Sequence, residues 1–224
     1  LAFVLSCLFA GGAVLALEPG TDLFVPSVAH GQGQEVNGVR AQWRADLWVF
    51  NPGSQAATVD MFLLLRNQAN ETPDSRRITV NPGEVRHLPD VILGQFGRDN
   101  TYGALRVTAD RPVYVTGSSY DANVKVDAKQ RDAGTAGQFF SGIPATQAIG
   151  VGELTDIVGL DQDGQQTAGI WRSNLALVET TGHSATLNVE RLDGAGQSLG
   201  MIPVSLRPRE AKQLDGVLTT IAAT

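Results

Sequence analysis

The amino-acid sequence predicts an all-β protein built of two tandem, antiparallel, immunoglobulin-like β-sandwich domains, the second lacking its last two strands. Three observations support this prediction. Short segments alternate apolar and polar residues, turns with Gly and Pro separate them about every 8–12 residues, and one pattern of strands occurs twice within the 224 residues. The predicted units are residues 22–127 and 138–224, and residues 1–16 precede them as an export signal.

The N-terminal segment is apolar and carries no charged residue before Glu18. It is shorter than the run of about 20 apolar residues that a membrane-spanning helix needs, and it is interrupted by two glycines. Val14–Ala16 offers a cleavage site of small residues, so we expect a signal peptide that is truncated at its start and cut near Ala16. A membrane anchor is the alternative.

Cys7 is the only cysteine of the chain and lies within this segment. A lipid anchor at Cys7 would require the apolar run to end there, but the run continues through Leu8 and Phe9. We therefore favour the signal peptide over the lipid anchor. The mature protein would then contain no disulfide, and its core would have to hold it together unaided.

A strand–turn–strand pattern that begins at Trp43 recurs at Trp171, at an offset of 128 residues (171 − 43). A second block, Ile78–Ile92, recurs as Val204–Leu218 at an offset of 126 residues (204 − 78). The matched residues include Arg44 with Arg172, Leu47 with Leu175, Pro82 with Pro208, and Glu84 with Glu210. A period above 100 residues indicates two whole domains rather than a solenoid of small repeats.

The strands of the first unit follow from alternation and turn residues. Alternation from residue 43 to residue 50 gives a core face of Trp43, Ala45, Leu47 and Val49 and an opposite face of Arg44, Asp46, Trp48 and Phe50. Turns are expected at Asn51–Ser54 and Asn81–Glu84. The further strands are ATVDMFLLL, RRITV, EVRHLPDVI, YGALRVTA and RPVYVTGSS, the last two joined at Asp110-Arg111. Short helical turns are expected near Leu93 and in LDGVLTTIA.

The second unit has no counterpart of the last two strands, because only TTIAAT follows Leu218. A sandwich that lacks two strands exposes part of its core and its sheet edges. We expect that the chain is a fragment at this end. The alternative is that another chain or another copy supplies these strands by strand addition.

The repeated Trp-Arg-x-Asp/Asn-Leu unit has two interpretations. In the structural one, the Trp lies in the core and Arg44 pairs with Asp46 along the strand. In the functional one, Arg44 and Trp48 belong to a ligand patch. Ala176 replaces Trp48 in the second copy, so such a patch would exist in the first unit alone.

No pattern of reactive residues points to an enzyme. His30, His87 and His183 lie far apart, and the sequence contains no zinc-binding, nucleophile-elbow or phosphate-loop motif. Asp161 and Asp163 precede Gly164 as in a calcium loop, but position twelve of such a loop would be Arg172 rather than Glu, so a solvated turn is favoured. We therefore expect no catalytic residues, no metal and no cofactor, and the sequence does not define the binding residues.

The charge balance argues against two classes of partner. The formal net charge is −6 and the pI is about 5.0. Nucleic acid and anionic lipid surfaces both require a basic patch. We expect a protein or a glycan as the partner, no nucleic acid, and no membrane insertion after signal cleavage.

The segments VPSVAHGQG, QWRADLWVFNPGSQAATV, VNPGEVRHLPDVI and GALRVTADRPVYVTG together resemble an uncharacterised repeat of secreted bacterial proteins, which occurs as tandem immunoglobulin-like β-sandwiches beside other modules. The resemblance covers most of the chain after residue 16. It implies an extracytoplasmic, non-enzymatic module and assigns no catalytic or binding residues. The second copy departs from the pattern at ETTG, where NPGS is expected.

These observations favour a non-enzymatic exported structural, adhesive or interaction module. The alternative is a carbohydrate- or peptide-binding accessory domain of a secreted hydrolase. Exposed aromatic residues would mark that alternative, and the candidates are Trp48, Tyr102, Tyr114 and Tyr120. A two-domain periplasmic chaperone is less well supported, because the domains of such chaperones differ from each other. The expected location is extracytoplasmic in each case: secreted, periplasmic or at the cell surface.

Overall fold

The computed structural model describes residues 17–36, 38–125, 132–160, 162 and 173–221. The strands within these residues are β1 (Gly20–Val36), β2 (Val39–Phe50), β3 (Ala57–Leu65), β4 (Asp74–Val80), β5 (Val85–Leu88), β6 (Thr101–Lys125), β7 (Asp132–Ser141), β8 (Ile143–Pro144), β9 (Leu175–Val178), β10 (Ala185–Leu192), β11 (Ser198–Leu206) and β12 (Ala211–Leu214). The helices are α1 (Val91–Phe96) and α2 (Val217–Thr220), and a 3₁₀ turn covers Ala145–Gln147. The prediction of an all-β fold with two short helical turns is confirmed.

The first eight strands form one curled antiparallel sheet with the order β4-β3-β6-β1-β2-β5, in which β7 pairs with β6 and β8 pairs with β1. The sheet curls because its two longest strands each take part in both halves. The first half of β6 lies between β1 and β3, whereas its second half lies between β2 and β7. β8 lies in the second predicted unit by sequence, and it pairs with β1 of this sheet.

The sequence predicts two strands where the structure has the single strand β6, so this part of the prediction is wrong. The predicted junction at Asp110-Arg111 falls where the register between β1 and β6 shifts, between Thr108 and Val113. Pro112 lies within this shift, where a strand can bend. Proline has no backbone N–H to donate, but the regular hydrogen-bond ladder between β1 and β6 is already interrupted here. The bend therefore redirects the strand without ending it.

The core lies inside the curl. Ala45, Leu47 and Val49 of β2 are fully buried, as the alternation of this strand predicts. The buried apolar cluster consists of Leu23, Val25, Val28, Ala45, Leu47, Val49, Ala57, Val59, Met61, Leu63, Val80, Leu88, Val91, Ile92, Phe96, Leu105, Val107, Val113 and Val115. The residues that alternate with these core positions on β2 point away from the core and form the outer face of the sheet.

Trp43 is predicted to lie in the core, but it is only partly buried. It pairs with Gly31 on one side and Asp121 on the other, near the end of the sheet. Its ring crosses the β1 backbone at Gly33, where a Cβ atom would lie 2.4 Å from Trp43 Nε1. Glycine at this position makes room for the indole ring.

The turn after β2 depends on the side chain of Asn51, which is completely buried. Its Nδ2 donates to the carbonyl oxygens of Gln55 at 2.8 Å and Val80 at 2.9 Å, and its Oδ1 accepts from Gly53 N at 2.9 Å. The side chain thus satisfies three backbone groups of the turn and of β4, and the hydrogen bond to Val80 is buried. Asparagine opens this turn because it both donates and accepts.

The second region reproduces strand registers of the first. In β3–β4, Ala57 pairs with Val80, and in β10–β11 the corresponding Ala185 pairs with Leu206. In β2–β5, Leu47 pairs with Leu88, and in β9–β12 Leu175 pairs with Leu214. The four strands of the second region form two separate two-stranded sheets, β10–β11 and β9–β12.

A polar and an apolar contact join the second region to the outside of the curled sheet. Asn70 donates from Nδ2 to the carbonyl oxygen of Arg209 at 2.9 Å. Its backbone N–H donates to the carbonyl oxygen of Pro208, also at 2.9 Å. Ala211 of β12 is buried in a small cluster with Phe24, Leu64 and Ala104. This cluster covers part of the outer surface of β1, β3 and β6.

Glu179 is a buried carboxylate that holds the turns of the second region. It accepts hydrogen bonds from the backbone N–H groups of Thr181 at 2.6 Å, Gly182 at 2.8 Å and Arg209 at 2.8 Å. Burial by itself raises the pKa of Glu179, but these hydrogen bonds and that of the Thr181 hydroxyl outweigh burial and hold the pKa below its ordinary value of 4.5. The charged form is therefore the form that the fold stabilises.

Glu179→Gln is expected to lower the midpoint of thermal unfolding at pH 7 and to have a smaller effect at pH 3. A carboxylate with a depressed pKa contributes stability above about pH 4.5, and that contribution is lost as the pH falls through the folded-state pKa. Thermal unfolding of both chains between pH 7 and pH 3 measures the difference. The control Glu190→Gln changes an exposed residue of β10. An effect of Glu179→Gln that is equal at both pH values would contradict the prediction.

No helix in the described part of the chain has the length and apolar character that crossing a membrane requires. The same residues contain no group of three or more His, Cys, Asp or Glu side chains that could hold a metal ion.

Candidate ligand-binding face

The outer face of β2 carries the four residues that the alternation predicts: Arg44, Asp46, Trp48 and Phe50. The strand registers determine their neighbours, because paired residues of antiparallel strands share a face. Across β6 these neighbours are Tyr120, Ser118, Thr116 and Tyr114, and across β5 they are His87 and Val85. Phe139 of β7 pairs with Ser118 and lies on the same side.

An aromatic row, consisting of His87, Trp48 and Phe139, crosses this face. The rings of Trp48 and His87 stack with centroids 4.7 Å apart and an interplanar angle of 6°. Phe139 lies on Trp48 at 6.0 Å with a tilt of 36° and is 70% exposed. Phe50 and Tyr114 form a second stacked pair at 5.9 Å. The face therefore presents an exposed ring that is held in place by a packed one.

Asp46 anchors the polar end of the row. Its Oδ1 accepts from Asp90 N at 2.8 Å and from the Tyr120 hydroxyl at 3.2 Å, and its Oδ2 lies 3.0 Å from His87 Nε2. In the second region Asn174 accepts from Gly216 N at 3.0 Å in the same way. A side-chain oxygen at this position tethers the turn before the short helix, which explains why the repeated unit has either Asp or Asn.

Arg44 pairs with Asp90 rather than with Asp46, so the predicted pair along the strand is wrong. Arg44 Nε lies 3.3 Å from Asp90 Oδ2. The physical reason is that three other donors already engage the oxygens of Asp46. Asp90 also lies 2.8 Å from Nδ1 of the buried His30, whose Nε2 lies 3.3 Å from Asp99. A chain of polar contacts thus runs from the outer face to the loop before β6.

A cleft of about 520 Å³ opens beside Arg44. Its lining residues are His30, Gly31, Gln32, Gln42, Arg44, Leu93, Asp99 and Asn100. Two glutamines, one asparagine, one arginine and one aspartate provide donors and acceptors within a small volume. Arg44 both lines the cleft and lies on the outer face of β2, so the cleft borders the face that carries the aromatic row.

Tyr120 contributes a hydroxyl donor to this surface. Burial raises its pKa, and the negative charge of Asp46 and the hydrogen bond to it raise the pKa further. The phenol is therefore protonated at neutral pH and donates to Asp46.

The charges of the surface restrict the class of ligand. One arginine faces three aspartates, Asp46, Asp90 and Asp99, so the carboxylates outnumber the guanidinium group. An acidic ligand would be repelled by this arrangement. The surface suits a neutral or basic molecule that offers hydroxyl or N–H donors.

Three of the four aromatic candidates from the sequence lie together on this face: Trp48, Tyr114 and Tyr120. Tyr102 lies elsewhere, on the first half of β6, and donates to the carbonyl oxygen of Gln32 at 2.6 Å. Arg44 and Trp48, the residues of the predicted ligand patch, lie on the same outer face. The calcium candidates Asp161 and Asp163, and also Cys7, Trp171 and Arg172, lie outside the described residues.

Sequence reasoning did not identify His30, Asp90 or Phe139 as site residues. His30 lies within β1 and Asp90 in the turn between β5 and α1, and the pairing of β1 and β5 with β2 places both near Arg44. Phe139 lies in QFFS, at the start of the second predicted unit. No alternation of apolar and polar residues marks this segment, because Phe140 follows Phe139 directly, and its pairing with β6 does not follow from the local sequence.

Comparisons with known proteins relate the chain to a protein family and to a solved structure. The model of a family described as "Family of unknown function (DUF5719)" matches residues 13–216. No curated protein matches the chain. A structure described as "Crystal Structure of Thermotoga maritima 1070" is similar over 55% of this chain and 91% of that chain, with 19% sequence identity and a TM-score of 0.37.

Proposed function

The chain belongs to the family of unknown function DUF5719, and we propose that it is a non-enzymatic exported interaction module that binds a neutral glycan on the outer face of β5, β2, β6 and β7. The observation that carries the proposal is the exposed ring of Phe139 on Trp48, on the face that also carries Arg44, one of the residues that line the cleft with amide side chains. Export rests on the apolar segment at residues 1–16.

Both parts of the surface match the chemistry of sugars. The C–H groups of a pyranose ring carry a slight positive charge and pack against the negative face of an aromatic ring. Its hydroxyls form hydrogen bonds with planar amides and carboxylates, which the cleft offers through Gln32, Gln42, Asn100 and Asp99. A neutral sugar also avoids the repulsion that the three aspartates would impose on an acidic one.

The titratable groups of the face serve to position one another, which supports binding rather than catalysis. Asp46 is engaged by three donors, and Asp90 lies between His30 and Arg44. Groups engaged in this way orient a surface, whereas a general base needs access to the proton that it removes.

We further propose that the chain consists of two copies of one immunoglobulin-like unit. The equal registers of β3–β4 with β10–β11 and of β2–β5 with β9–β12 support this. The equivalent tethers from Asp46 to Asp90 and from Asn174 to Gly216 also support it. The glycan-binding face belongs to the first copy alone, because Ala176 occupies the position that corresponds to Trp48.

Phe139→Ala is expected to weaken glycan binding about tenfold, since an aromatic contact of this kind contributes about 1.4 kcal/mol. The chain is first screened against an array of neutral and acidic oligosaccharides, and affinities for the selected glycan are then measured by titration calorimetry. The control is Leu154→Ala, which truncates an exposed apolar residue outside the face and is expected to leave the affinity unchanged. Circular dichroism confirms that both variants fold.

Three results would overturn the proposal. They are the absence of binding to any neutral glycan, selective binding of acidic glycans, and an unchanged affinity in Phe139→Ala. Capture of extended peptides from a displayed library without glycan binding would instead support a peptide-binding module.

A further inference from the structure

The outer face of β2 carries a second aromatic pair besides the contact between Trp48 and Phe139. Phe50 and Tyr114 are partners across β2 and β6, and their rings stack with centroids 5.9 Å apart and an interplanar angle of 20°. Both side chains are only partly buried, and Val85, the partner of Phe50 on β5, is 58% exposed. The pair therefore provides a second apolar surface against which a ring can pack.

The two aromatic contacts occupy successive positions of one row along β2. Arg44, Asp46, Trp48 and Phe50 alternate with core residues and share the outer face, and the register with β6 runs without a shift from residue 43 to residue 50. Two residues of an antiparallel strand advance by about 7 Å, so the row measures about 20 Å from Arg44 to Phe50. Its Arg44 end borders the cleft.

A single sugar ring is too small for this row. A pyranose has six ring atoms, as a phenyl ring has, so it covers one of the two aromatic contacts and leaves the other free. A glycan that stacks on both contacts and also reaches Arg44 needs about four sugar residues, one for each outward-facing position of β2.

We infer that the ligand is a linear neutral polysaccharide that lies along β2, an inference that rests on the proposed glycan binding. Its sugar rings carry equatorial hydroxyls and equatorial linkages, as in a β-1,4-linked glucan. Such rings present C–H groups on both faces, which suits stacking on aromatic side chains. The chain that they form is straight, as the row on β2 is, whereas an α-1,4-linked glucan curves into a helix.

The test measures the affinity of the whole chain for cellobiose, cellotriose, cellotetraose and cellohexaose by titration calorimetry. We expect the affinity to rise about tenfold from cellobiose to cellotetraose, because only the longer glycan also reaches the second aromatic contact. From cellotetraose to cellohexaose the expected change is less than about twofold, since the added residues extend past the row. Maltohexaose is expected to bind about tenfold more weakly than cellohexaose, because its curved chain cannot stack on both contacts.

Two variants separate the length of the site from glycan binding itself. Phe50→Ala is expected to weaken cellotetraose binding about tenfold and to change cellobiose binding less than about twofold, whereas Phe139→Ala is expected to weaken both. Phe50→Leu keeps an apolar side chain without the ring and is expected to show the same selective loss. Phe62→Ala is the matched control, because Phe62 is a partly buried residue of β3, outside the face.

Several outcomes would overturn the inference. They are equal affinities for cellobiose and cellotetraose, equal affinities for maltohexaose and cellohexaose, and a Phe50→Ala variant that leaves cellotetraose binding unchanged or weakens both ligands equally. Binding of another neutral glycan through Phe139, without binding of any cello-oligosaccharide, would overturn this inference and leave the proposed function standing. The absence of binding to any neutral glycan would overturn both.

Discussion

Replacing Leu105 with alanine is expected to lower the free energy of unfolding by about 3–4 kcal/mol. Leu105 is completely buried and lies in the middle of the first half of β6, where it pairs with Val25 of β1 and Leu63 of β3. Truncation removes apolar contacts to both neighbouring strands and leaves a cavity that a sheet paired on both sides cannot close. Urea unfolding followed by tryptophan fluorescence measures the change.

Leu93→Ala is the matched control, because Leu93 of α1 is 45% exposed. It is expected to cost less than about 1 kcal/mol, since much of its side chain already contacts water. Equal losses in the two variants would contradict the assignment of the core to the inside of the curl.

Asn51→Asp is expected to cost about 3–5 kcal/mol at pH 7, although it changes the side-chain volume very little. The carboxylate cannot donate to the carbonyl oxygens of Gln55 and Val80, and it places a negative charge beside both in a site without access to water. The hydrogen bond from Gly53 remains. The measurement is again equilibrium unfolding in urea.

Asn188→Asp makes the same chemical change on an exposed residue of β10. Its effect is expected to stay within about 0.5 kcal/mol. If Asn51→Asp were as mild as this control, the buried side chain would not be holding the turn, and the turn sequence alone would determine its shape.

The local pattern of the sequence predicted much of the fold. The alternation of β2 predicted which residues face the core, and the Asn-Pro-Gly sequences predicted the turns. The facing of β2 residues and the positions of the turns both depend on residues that are adjacent in the sequence. The continuity of β6 was not predicted, because a proline within a strand-like segment usually marks the end of a strand. Here the register shift between β1 and β6 accommodates Pro112, so the strand continues.

The candidate face was predicted only in part for a similar reason. Trp48 and Arg44 follow from the alternation of one strand. The partner of Arg44, however, depends on which donors have already engaged Asp46, and Phe139 reaches Trp48 only because β7 pairs with β6. Such relations among distant strands have no signature in a single segment.

The passage of β6 through both halves of the curl sets a limit on how this protein can be divided. A cut near Asp110 would leave each side without the strand that completes it. Neither half can therefore be transplanted to another protein as an autonomous part. The smallest exchangeable piece includes the entire span from Gly20 to Lys125.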